Sequence, residues 1–318
     1  MARKDRSPQE LFTAALAGDR AAMARLLSLI ERGGEPGREV GRLSYPLGGH
    51  AYTVGLTGAP GAGKSTLTSA TIGHIRSLDQ EVAVLAIDPS SPFSGGAILG
   101  DRVRMQDHAT DPGVFIRSMA TRGHLGGLSL ATPEAVRLLD ALGHQLVLIE
   151  TVGVGQVEVE IAGKADTTVV VVNPGWGDAV QANKAGLMEI ADIFVINKAD
   201  RKGVEDTRRD LEQMLELSQL GDWRPPILMT VASQNEGIDG FWAAVTEHRE
   251  HITASGELQK RRQRRLREEL REIIVRRLEM RAREICTGDR WDQLESGVAA
   301  RQVDPWGAAD EMLKGVGA

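Results

Sequence analysis

The middle of the chain alternates short apolar runs with longer amphipathic stretches. Between Tyr52 and about Ser255, the apolar runs are nearly continuous in Val, Ile and Leu. Such runs are typical of strands that are covered on both faces in a parallel sheet. They predict strands over 53–57, 82–88, 146–150, 168–173, 193–197 and 227–231. Helices of suitable length lie between most of them, so the pattern predicts an α/β protein with a mostly parallel sheet flanked by helices.

One connection in this series is unusually long. The stretch from Pro89 to Pro133 is polar and glycine-rich, with only a short candidate strand over 114–117. A connection of this length in a compact domain is usually functional. Glycine-bearing loops over 90–96, 121–127 and 174–178 can order around a ligand, although any one of them alone is typical of an ordinary surface loop.

The first 45 residues are predicted to form a helical extension. Ser7-Pro8-Gln9-Glu10 has the form of a capping box with Pro at the first helical position. A second helix is expected to end at Gly33-Gly34, and the Gly- and Pro-rich stretch 33–49 is interpreted as a linker. The apolar face of the second helix is formed by Met23, Leu26, Leu27 and Ile30.

The chain changes character at Gly256. Residues 257–285 contain 11 Lys and Arg and 6 Asp and Glu, with one apolar stripe at helical spacing. We expect a returning helix to cover part of this stripe and a second copy of the chain to cover the rest, which predicts a homodimer. The stripe consists of Leu266, Leu270, Ile273, Ile274, Leu278 and Ile285, and the covering residues are Trp291, Leu294, Val298 and Trp306. The predicted parts are therefore an N-terminal extension (1–45), a nucleotide domain (46–255) and a C-terminal dimerisation arm (256–318).

Composition narrows the function classes. The 318 residues are 42% hydrophobic and 26% charged, which is normal for a globular protein. A net charge of −6 and only 4% aromatic residues argue against a nucleic-acid partner. A single cysteine, Cys286, excludes a disulfide framework. Neither a membrane-spanning apolar run nor a signal-peptide core is present in the sequence, so we expect a cytoplasmic protein without a membrane partner.

A phosphate-binding loop follows the first predicted strand. Its glycines allow backbone N–H groups to turn toward phosphates, and the following helix presents its positive end to them. Lys64 is expected to bridge the β- and γ-phosphates, and the Ser65 hydroxyl can bind Mg²⁺. The motif GxxxxGK[ST] is formed by Gly58, Ala59, Pro60, Gly61, Ala62, Gly63, Lys64 and Ser65, followed by Thr66.

Carboxylates at strand ends predict the rest of a magnesium site. Glu150 ends a buried strand, before Thr151-Val152-Gly153, where an acidic residue can hold Mg²⁺ directly or through water. Asp88 ends another strand, and Asp101 follows in the long connection. Either aspartate can instead be a helix or turn cap. Lys64, Asp88 and Glu150 are the predicted catalytic residues.

A second motif points to guanine as the base. Asn197-Lys198-Ala199-Asp200 follows a predicted strand, and the Asp200 carboxylate can accept hydrogen bonds from N1–H and the 2-amino group of guanine. The Lys198 stem can lie over the purine, and Asn197 can tie this loop to the phosphate loop. After the next strand, a backbone N–H of Val231, Ala232 or Ser233 is placed to reach guanine O6.

Together these motifs resemble the MeaB/ArgK family of P-loop GTPases, which belongs to the SIMIBI class. The stretches that carry the resemblance are G-A-P-G-A-G-K-S-T (58–66), A-I-D-P-S-S-P (86–92), G-G-A-I-L-G-D-R-V-R-M (95–105), T-R-G-H-L-G-G-L (121–128), E-T-V-G-V-G-Q (150–156), G-D-A-V-Q-A-N-K-A-G (177–186) and N-K-A-D (197–200). The resemblance implies a GTPase with GTP/GDP and Mg²⁺ as ligands, the metal being surrounded by Ser65, Asp88, Asp101 and Glu150. It also implies a segment around Lys184 that senses the partner.

The same resemblance implies a chaperone of an adenosylcobalamin-dependent acyl-CoA mutase, usually methylmalonyl-CoA mutase, that gates cofactor loading and protects the mutase. The alternative is a transport-system kinase of the LAO/AO, ArgK type that passes the γ-phosphate to a protein, because a phosphate loop alone does not distinguish water from another acceptor. A nickel-insertion GTPase is rejected, since seven scattered His and one Cys do not supply the expected ligand set.

Overall fold

Within the part of the chain that the structure describes, seven strands form one parallel sheet. The computed structural model describes residues 6–58, 60–88, 106–120, 125–151, 164–175, 190–217 and 221–314. The strands are β1 (Tyr52–Gly58), β2 (Val82–Asp88), β3 (Val114–Ala120), β4 (Leu146–Thr151), β5 (Thr167–Val172), β6 (Ile193–Asn197) and β7 (Ile227–Thr230). The described helices are α1 (Pro8–Leu16), α2 (Arg20–Arg32), α3 (Gly34–Ser44), α4 (Lys64–Ser77), α5 (Leu125–Ala141), α6 (Val204–Leu217), α7 (Ile238–Ala254), α8 (Glu257–Ile285), α9 (Asp289–Ala299) and α10 (Pro305–Leu313).

The strand order places β1 at the centre of the sheet. All strands are parallel, in the order β3-β2-β4-β1-β5-β6-β7. The chain moves from β1 toward β2 and β3 on one side, and later toward β5, β6 and β7 on the other. In open parallel sheets, ligands bind at the carboxyl ends of the strands where the direction of winding reverses. The topology therefore places a ligand crevice beyond the end of β1.

Alternate residues of the central strands build two cores, one on each face of the sheet. Val84 and Leu148 belong to the core that also contains α4, α6 and α7 residues. Their neighbours Leu85 and Ile149 belong to the other core, which is completed by α5 and by the N-terminal helices. Because both faces are covered, the strands are apolar at nearly every position, as the sequence pattern predicted.

The N-terminal helices pack directly on the sheet. The capping box at Ser7 is confirmed, with Ser7 Oγ accepting from Glu10 N at 3.2 Å and Glu10 Oε2 accepting from Ser7 N at 2.8 Å. Leu26 and Leu27 of α2 are fully buried. The predicted linker 33–49 is wrong over much of its length, because α3 occupies Gly34–Ser44 and buries Val40. Burial of an apolar face outweighs the low helix propensity of its glycines and proline.

The long connection from Pro89 to Pro133 also contains more regular structure than predicted. β3 extends to Ala120 and pairs with β2 along its whole length. Arg117 interrupts the apolar run because its guanidinium reaches Ser28 Oγ and Glu31 Oε2 of α2, each at 3.0 Å. Helix α5 begins at Leu125 and runs through Pro133, where the predicted connection ends. Its later turn is held by Leu138 and Leu139, which are fully buried.

An ionic network joins the amino ends of three strands to the first turns of α8. Arg262 donates to both carboxylate oxygens of Asp166, at 3.1 and 2.6 Å, and to the carbonyls of Gly49 and Ala51, at 2.9 and 2.7 Å. Asp166 is 1% exposed and also accepts from Thr53 N of β1 at 3.1 Å. The segment before β1 is held from the other side as well, because residues 49–51 donate three successive N–H groups to the Asp140 carboxylate.

A second buried carboxylate lies beside the first. Asp192 accepts from Arg261 Nη1 at 2.9 Å and from Thr168 N at 2.8 Å, and lies 3.2 Å from His248 Nε2. Burial alone would raise the pKa of Asp192, but the neighbouring imidazole of His248, the charge of Arg261 and the N–H of Thr168 hold it below its ordinary value of 3.8. The resulting stabilisation is present above the ordinary pKa and is lost as the pH falls through the lower native value.

The chain divides into two compact units, Met1–Arg262 and Gln263–Ala318, with the boundary inside α8. Helix α8 spans 257–285 as predicted, and its stripe residues Leu270 and Leu278 are 59% and 61% exposed. The prediction that Trp306 covers the stripe is wrong, because this side chain is 83% exposed. Among the described residues, helices with the length and apolarity needed to cross a membrane are absent.

Candidate nucleotide-binding site

Two glycines shape the turn between β1 and α4. Gly58 has φ +135°, and a Cβ there would lie 1.9 Å from the carbonyl oxygen of Val171 in β5. Gly63 has φ +90°, and a Cβ there would lie 2.4 Å from Asn197 Nδ2. Side chains are therefore excluded at both positions by backbone conformation and by space. The turn ends where α4 begins at Lys64, so the helix amino terminus faces the crevice at the end of β1.

The first turn of α4 meets the end of β4. Lys64 is 7% exposed, and its Nζ donates to the carbonyl of Gly58 at 2.8 Å. Ser65 Oγ donates to Glu150 Oε1 at 2.5 Å, and Glu150 is fully buried. Glu150 occupies this position because β4 pairs with β1 in a register that sets it opposite Leu56. A hydroxyl and a carboxylate oxygen in contact form a hard donor pair of the kind that suits Mg²⁺.

The guanine motif lies on the turn that follows β6. Lys198 adopts a left-handed conformation, with φ +60°, and its Nζ donates to the carbonyl of Gly61 at 2.6 Å. The turn is closed by Ala199 N, which donates to the carbonyl of Thr230 at 3.0 Å. Asp200 is exposed at the tip. The lysine stem therefore reaches from the base-binding motif to the phosphate loop.

Asn197 joins three segments through its side-chain amide, which is 2% exposed. Its Nδ2 donates to the carbonyls of Ala62 and Gly63, at 2.8 and 3.4 Å. Its Oδ1 accepts from Ala232 N and from Thr230 Oγ1, both at 3.1 Å. The predicted tie between this motif and the phosphate loop is present in the structure.

The remaining predicted residues fall in different places. Pro60 and Gly61 are exposed and Ala62 is buried on the loop, while Thr66 is half-buried on α4. Val231 and Ala232 are buried and Ser233 is exposed, in the turn after β7. Asp88 is the last residue of β2, which pairs with the strand that carries Glu150. Ala59, Asp101, Val152, Gly153, Gln156 and Lys184 lie outside the described residues, as does the Asp88 side chain.

Thr230 is the contributor that the sequence analysis missed. Its hydroxyl and its carbonyl both hold the guanine motif, yet it was counted only as the end of an apolar strand. The available signal was its position. A hydroxyl-bearing residue at the carboxyl end of a strand, directly before a turn assigned to the nucleotide, lies at the edge where ligands bind.

The parallel sheet, the glycine turn and the buried Lys64 and Ser65 define a P-loop nucleotide-binding protein. Residues 23–286 match the family model described as methylmalonyl Co-A mutase-associated GTPase MeaB. The chain belongs to this family. It is a GTPase, and its nucleotide is a guanine nucleotide.

Individual relatives agree with this assignment. A protein of Pyrococcus abyssi named as a GTPase is 51% identical over 310 residues, which cover 96% of this chain and 95% of the relative. The mitochondrial methylmalonic aciduria type A homologue of Mus musculus is 34% identical over 283 residues, with 82% of this chain and 68% of the relative covered. A crystal structure of a LAO/AO transport system kinase superposes with a TM-score of 0.73 at 27% identity, covering 100% of both chains.

Proposed function

We propose that this GTPase is a chaperone of an adenosylcobalamin-dependent acyl-CoA mutase, with methylmalonyl-CoA mutase as the client. The observation that carries the proposal is the family match over 23–286, whose description names that mutase. In this role, the nucleotide state gates loading of the cofactor and protects the mutase from inactivation. In this proposal, slow GTP hydrolysis sets how long the GTPase stays in the GTP-bound state of the complex with the mutase.

At the phosphate end, we assign charge neutralisation to Lys64 and metal binding to four oxygen donors. Lys64 is placed to bridge the β- and γ-phosphates, since its ammonium lies buried at the start of α4. Bound Mg²⁺ would neutralise the charge that develops on the phosphates. The buried contact between Ser65 and Glu150 supports this site. The assigned metal ligands are Ser65, Asp88, Asp101 and Glu150.

At the base end, we assign guanine recognition to Asp200, Lys198 and the turn after β7. Val231 N donates to the carbonyl of Glu236 at 3.1 Å, and Ala232 N donates to Asn197. We therefore propose the N–H of Ser233 as the donor to guanine O6. Asp200 is exposed on the turn after β6, and this exposure is compatible with its accepting from N1–H and the 2-amino group.

Replacing Asp200 by asparagine tests the base site. The amide presents one acceptor where guanine needs two, so GDP affinity should fall by about 100-fold or more and xanthine nucleotides should gain. Isothermal titration with GDP, ADP and XDP measures the change. Asp210→Asn, at an exposed position on α6, is the matched control and should bind like the wild type. Equal affinity of the wild type for GTP and ATP contradicts the assignment.

The client is tested by affinity capture from native lysate. Tagged protein loaded with GDP or with a non-hydrolysable GTP analogue should retain a mutase in one nucleotide state more than in the other, because the nucleotide is proposed to set the affinity for the partner. Mass spectrometry identifies the retained protein. Capture in which a mutase is absent from both states argues against the chaperone role.

A kinase is the second candidate, because the superposed crystal structure is named a LAO/AO transport system kinase. The two functions differ in the acceptor of the γ-phosphate. A GTPase releases all of it as inorganic phosphate, whereas a kinase transfers it to a protein. Incubation with γ-labelled GTP and lysate distinguishes them, since labelled protein bands that disappear in Lys64→Ala favour the kinase.

We also propose a homodimer formed through the exposed stripe of α8. Leu270, Ile274 and Leu278 are each at least half exposed, and contiguous apolar strips of this kind are usually covered by a partner. Light scattering at micromolar concentration should give a dimer for the full chain. A chain that ends at Gln263 keeps Arg261 and Arg262, so it should be a monomer that still binds GDP. A monomeric full chain, or a dimeric short one, contradicts the proposal.

A further inference from the structure

Thr230 holds the guanine motif at two points. It is the last residue of β7 and is 1% exposed. Its hydroxyl donates to Asn197 Oδ1 at 3.1 Å, and its carbonyl accepts from Ala199 N at 3.0 Å. One residue therefore fixes both a side chain and the backbone of the motif, from a strand that is itself anchored in the sheet by pairing with β6.

The amide of Asn197 is held in one orientation by groups of fixed polarity. In the observed orientation, Nδ2 faces the carbonyls of Ala62 and Gly63, and Oδ1 faces two donors. A flipped amide would turn its oxygen toward the two carbonyls and its NH₂ toward the N–H of Ala232, and these contacts would become repulsive. The hydroxyl of Thr230 can donate or accept, so its contribution is to hold the amide in position. If the hydroxyl of Thr230 is removed, Oδ1 of Asn197 loses one of these two donors and keeps the N–H of Ala232.

The Asn197 amide is tightly packed against the phosphate loop. A Cβ on Gly63 would lie 2.4 Å from Asn197 Nδ2, so the amide is packed directly against the residue that precedes Lys64. A displacement of the amide by a few tenths of an ångström therefore changes the spacing between the loop that binds phosphates and the turn proposed to bind guanine. Close packing transmits such shifts instead of absorbing them.

We propose that Thr230 is a positioning residue for nucleotide binding, whose hydroxyl holds the Asn197 side chain in place and thereby sets the rate at which guanine nucleotides dissociate. The inference rests on the proposed base site at Asp200. It assigns Thr230 a role without direct contact with the nucleotide. Because GDP and GTP use the same two loops, the residue affects both nucleotides equally, unlike a ligand of the metal or of the γ-phosphate.

Three variants test the inference. Thr230→Val removes the hydroxyl at constant shape, and Thr230→Ser keeps it. Thr167→Val is the matched control, because Thr167 is a fully buried threonine at the amino end of β5, whereas Thr230 lies at the carboxyl end of β7. The Thr167 hydroxyl contacts His248 Nδ1 at 2.8 Å and the Tyr52 hydroxyl. Release of a fluorescent GDP analogue is measured by stopped flow, and kcat and KM for GTP by phosphate release.

Thr230→Val should release GDP about tenfold faster, with KM for GTP raised and kcat retained, since one buried hydrogen bond is lost. Thr230→Ser should release GDP at the wild-type rate within about twofold. Thr167→Val should lower the midpoint of unfolding without changing GDP release. The inference is overturned if Thr230→Val releases GDP like the wild type, if Ser fails to restore the rate, or if Thr167→Val accelerates release equally.

Asp200→Asn in the same assays separates this inference from the proposed function. Guanine preference in the wild type together with unchanged release in Thr230→Val overturns the role of Thr230 alone. An Asp200→Asn variant that keeps the wild-type preference for GDP over ADP and XDP overturns the proposed base site, and with it the basis of the inference.

Discussion

Lys64→Ala should abolish measurable GTP hydrolysis, with a loss in kcat of about 10²–10³-fold or more. The ammonium is buried between the end of β1 and the first turn of α4, where water screens its charge poorly. Alanine removes the single positive charge that the phosphate loop carries. Phosphate release under saturating GTP measures the loss.

Lys260→Ala is the matched control, because Lys260 is exposed on α8 and distant in sequence from both nucleotide motifs. It should hydrolyse GTP like the wild type. Circular dichroism and thermal unfolding verify that Lys64→Ala is folded. Hydrolysis by folded Lys64→Ala within about tenfold of the wild type would show that the catalytic charge lies elsewhere.

Arg262→Met should lower the free energy of unfolding by about 3–5 kcal/mol, the range found when one partner of a buried ion pair is removed. After the substitution, Asp166 is still charged and 1% exposed, but it lacks the two hydrogen bonds that the Arg262 guanidinium donates to its carboxylate. It also removes the donors to the carbonyls of Gly49 and Ala51, which lead into β1. Urea denaturation followed by circular dichroism measures the change.

Arg264→Met provides the control, since Arg264 lies two residues further along α8 and is exposed. Its effect should stay within about 0.5 kcal/mol. Adding Asp166→Asn to Arg262→Met removes the buried negative charge, so part of the lost free energy of unfolding should be recovered. A double-mutant cycle quantifies this coupling. Equal destabilisation by Arg262→Met and Arg264→Met would show that the network contributes little.

The motifs of the candidate site are easier to recognise in the sequence than the helices α3 and α5, which pack on the sheet. Phosphate and guanine motifs are local, since a loop of glycines between a strand and a helix has few other solutions. The contact between Ser65 and Glu150 also follows from strand order, because Glu150 lies near the carboxyl end of β4, and the loop that leads to Ser65 leaves the carboxyl end of the neighbouring β1. The role of Asp101 stays a prediction, since this residue lies outside the described part of the chain.

The errors lie where tertiary burial overrides local preference. α3 contains glycine and proline at positions that favour a linker, yet the burial of Val40 holds it as a helix. The connection predicted to reach Pro133 contains the first turns of α5, and the strand predicted to end at Arg117 runs on to Ala120. In each case, the stabilising partner is distant in sequence, so the local pattern contains no trace of it.

The same limit applies to the arginines of α8. Eleven basic residues over 257–285 look equivalent in the sequence. Arg261 and Arg262 pair with Asp192 and Asp166, which directly precede β6 and β5. Only the fold brings these carboxylates to the start of the helix, so charge patterning alone does not separate the two kinds of arginine.

The contacts of Arg262 have a consequence for biosynthesis. Arg262 follows Ala51, whose carbonyl it binds, by 211 residues. At 5–20 residues per second, the ribosome adds this arginine about 10–40 s after β1 begins to be translated. During that interval, the central strand has its first apolar partners but lacks the contacts of Arg262 at its amino end, and Asp166 lacks the hydrogen bonds from the Arg262 guanidinium. Nascent chains that stall before residue 262 therefore expose a nearly complete nucleotide domain to proteases and aggregation, and the domain closes only when translation has entered the arm.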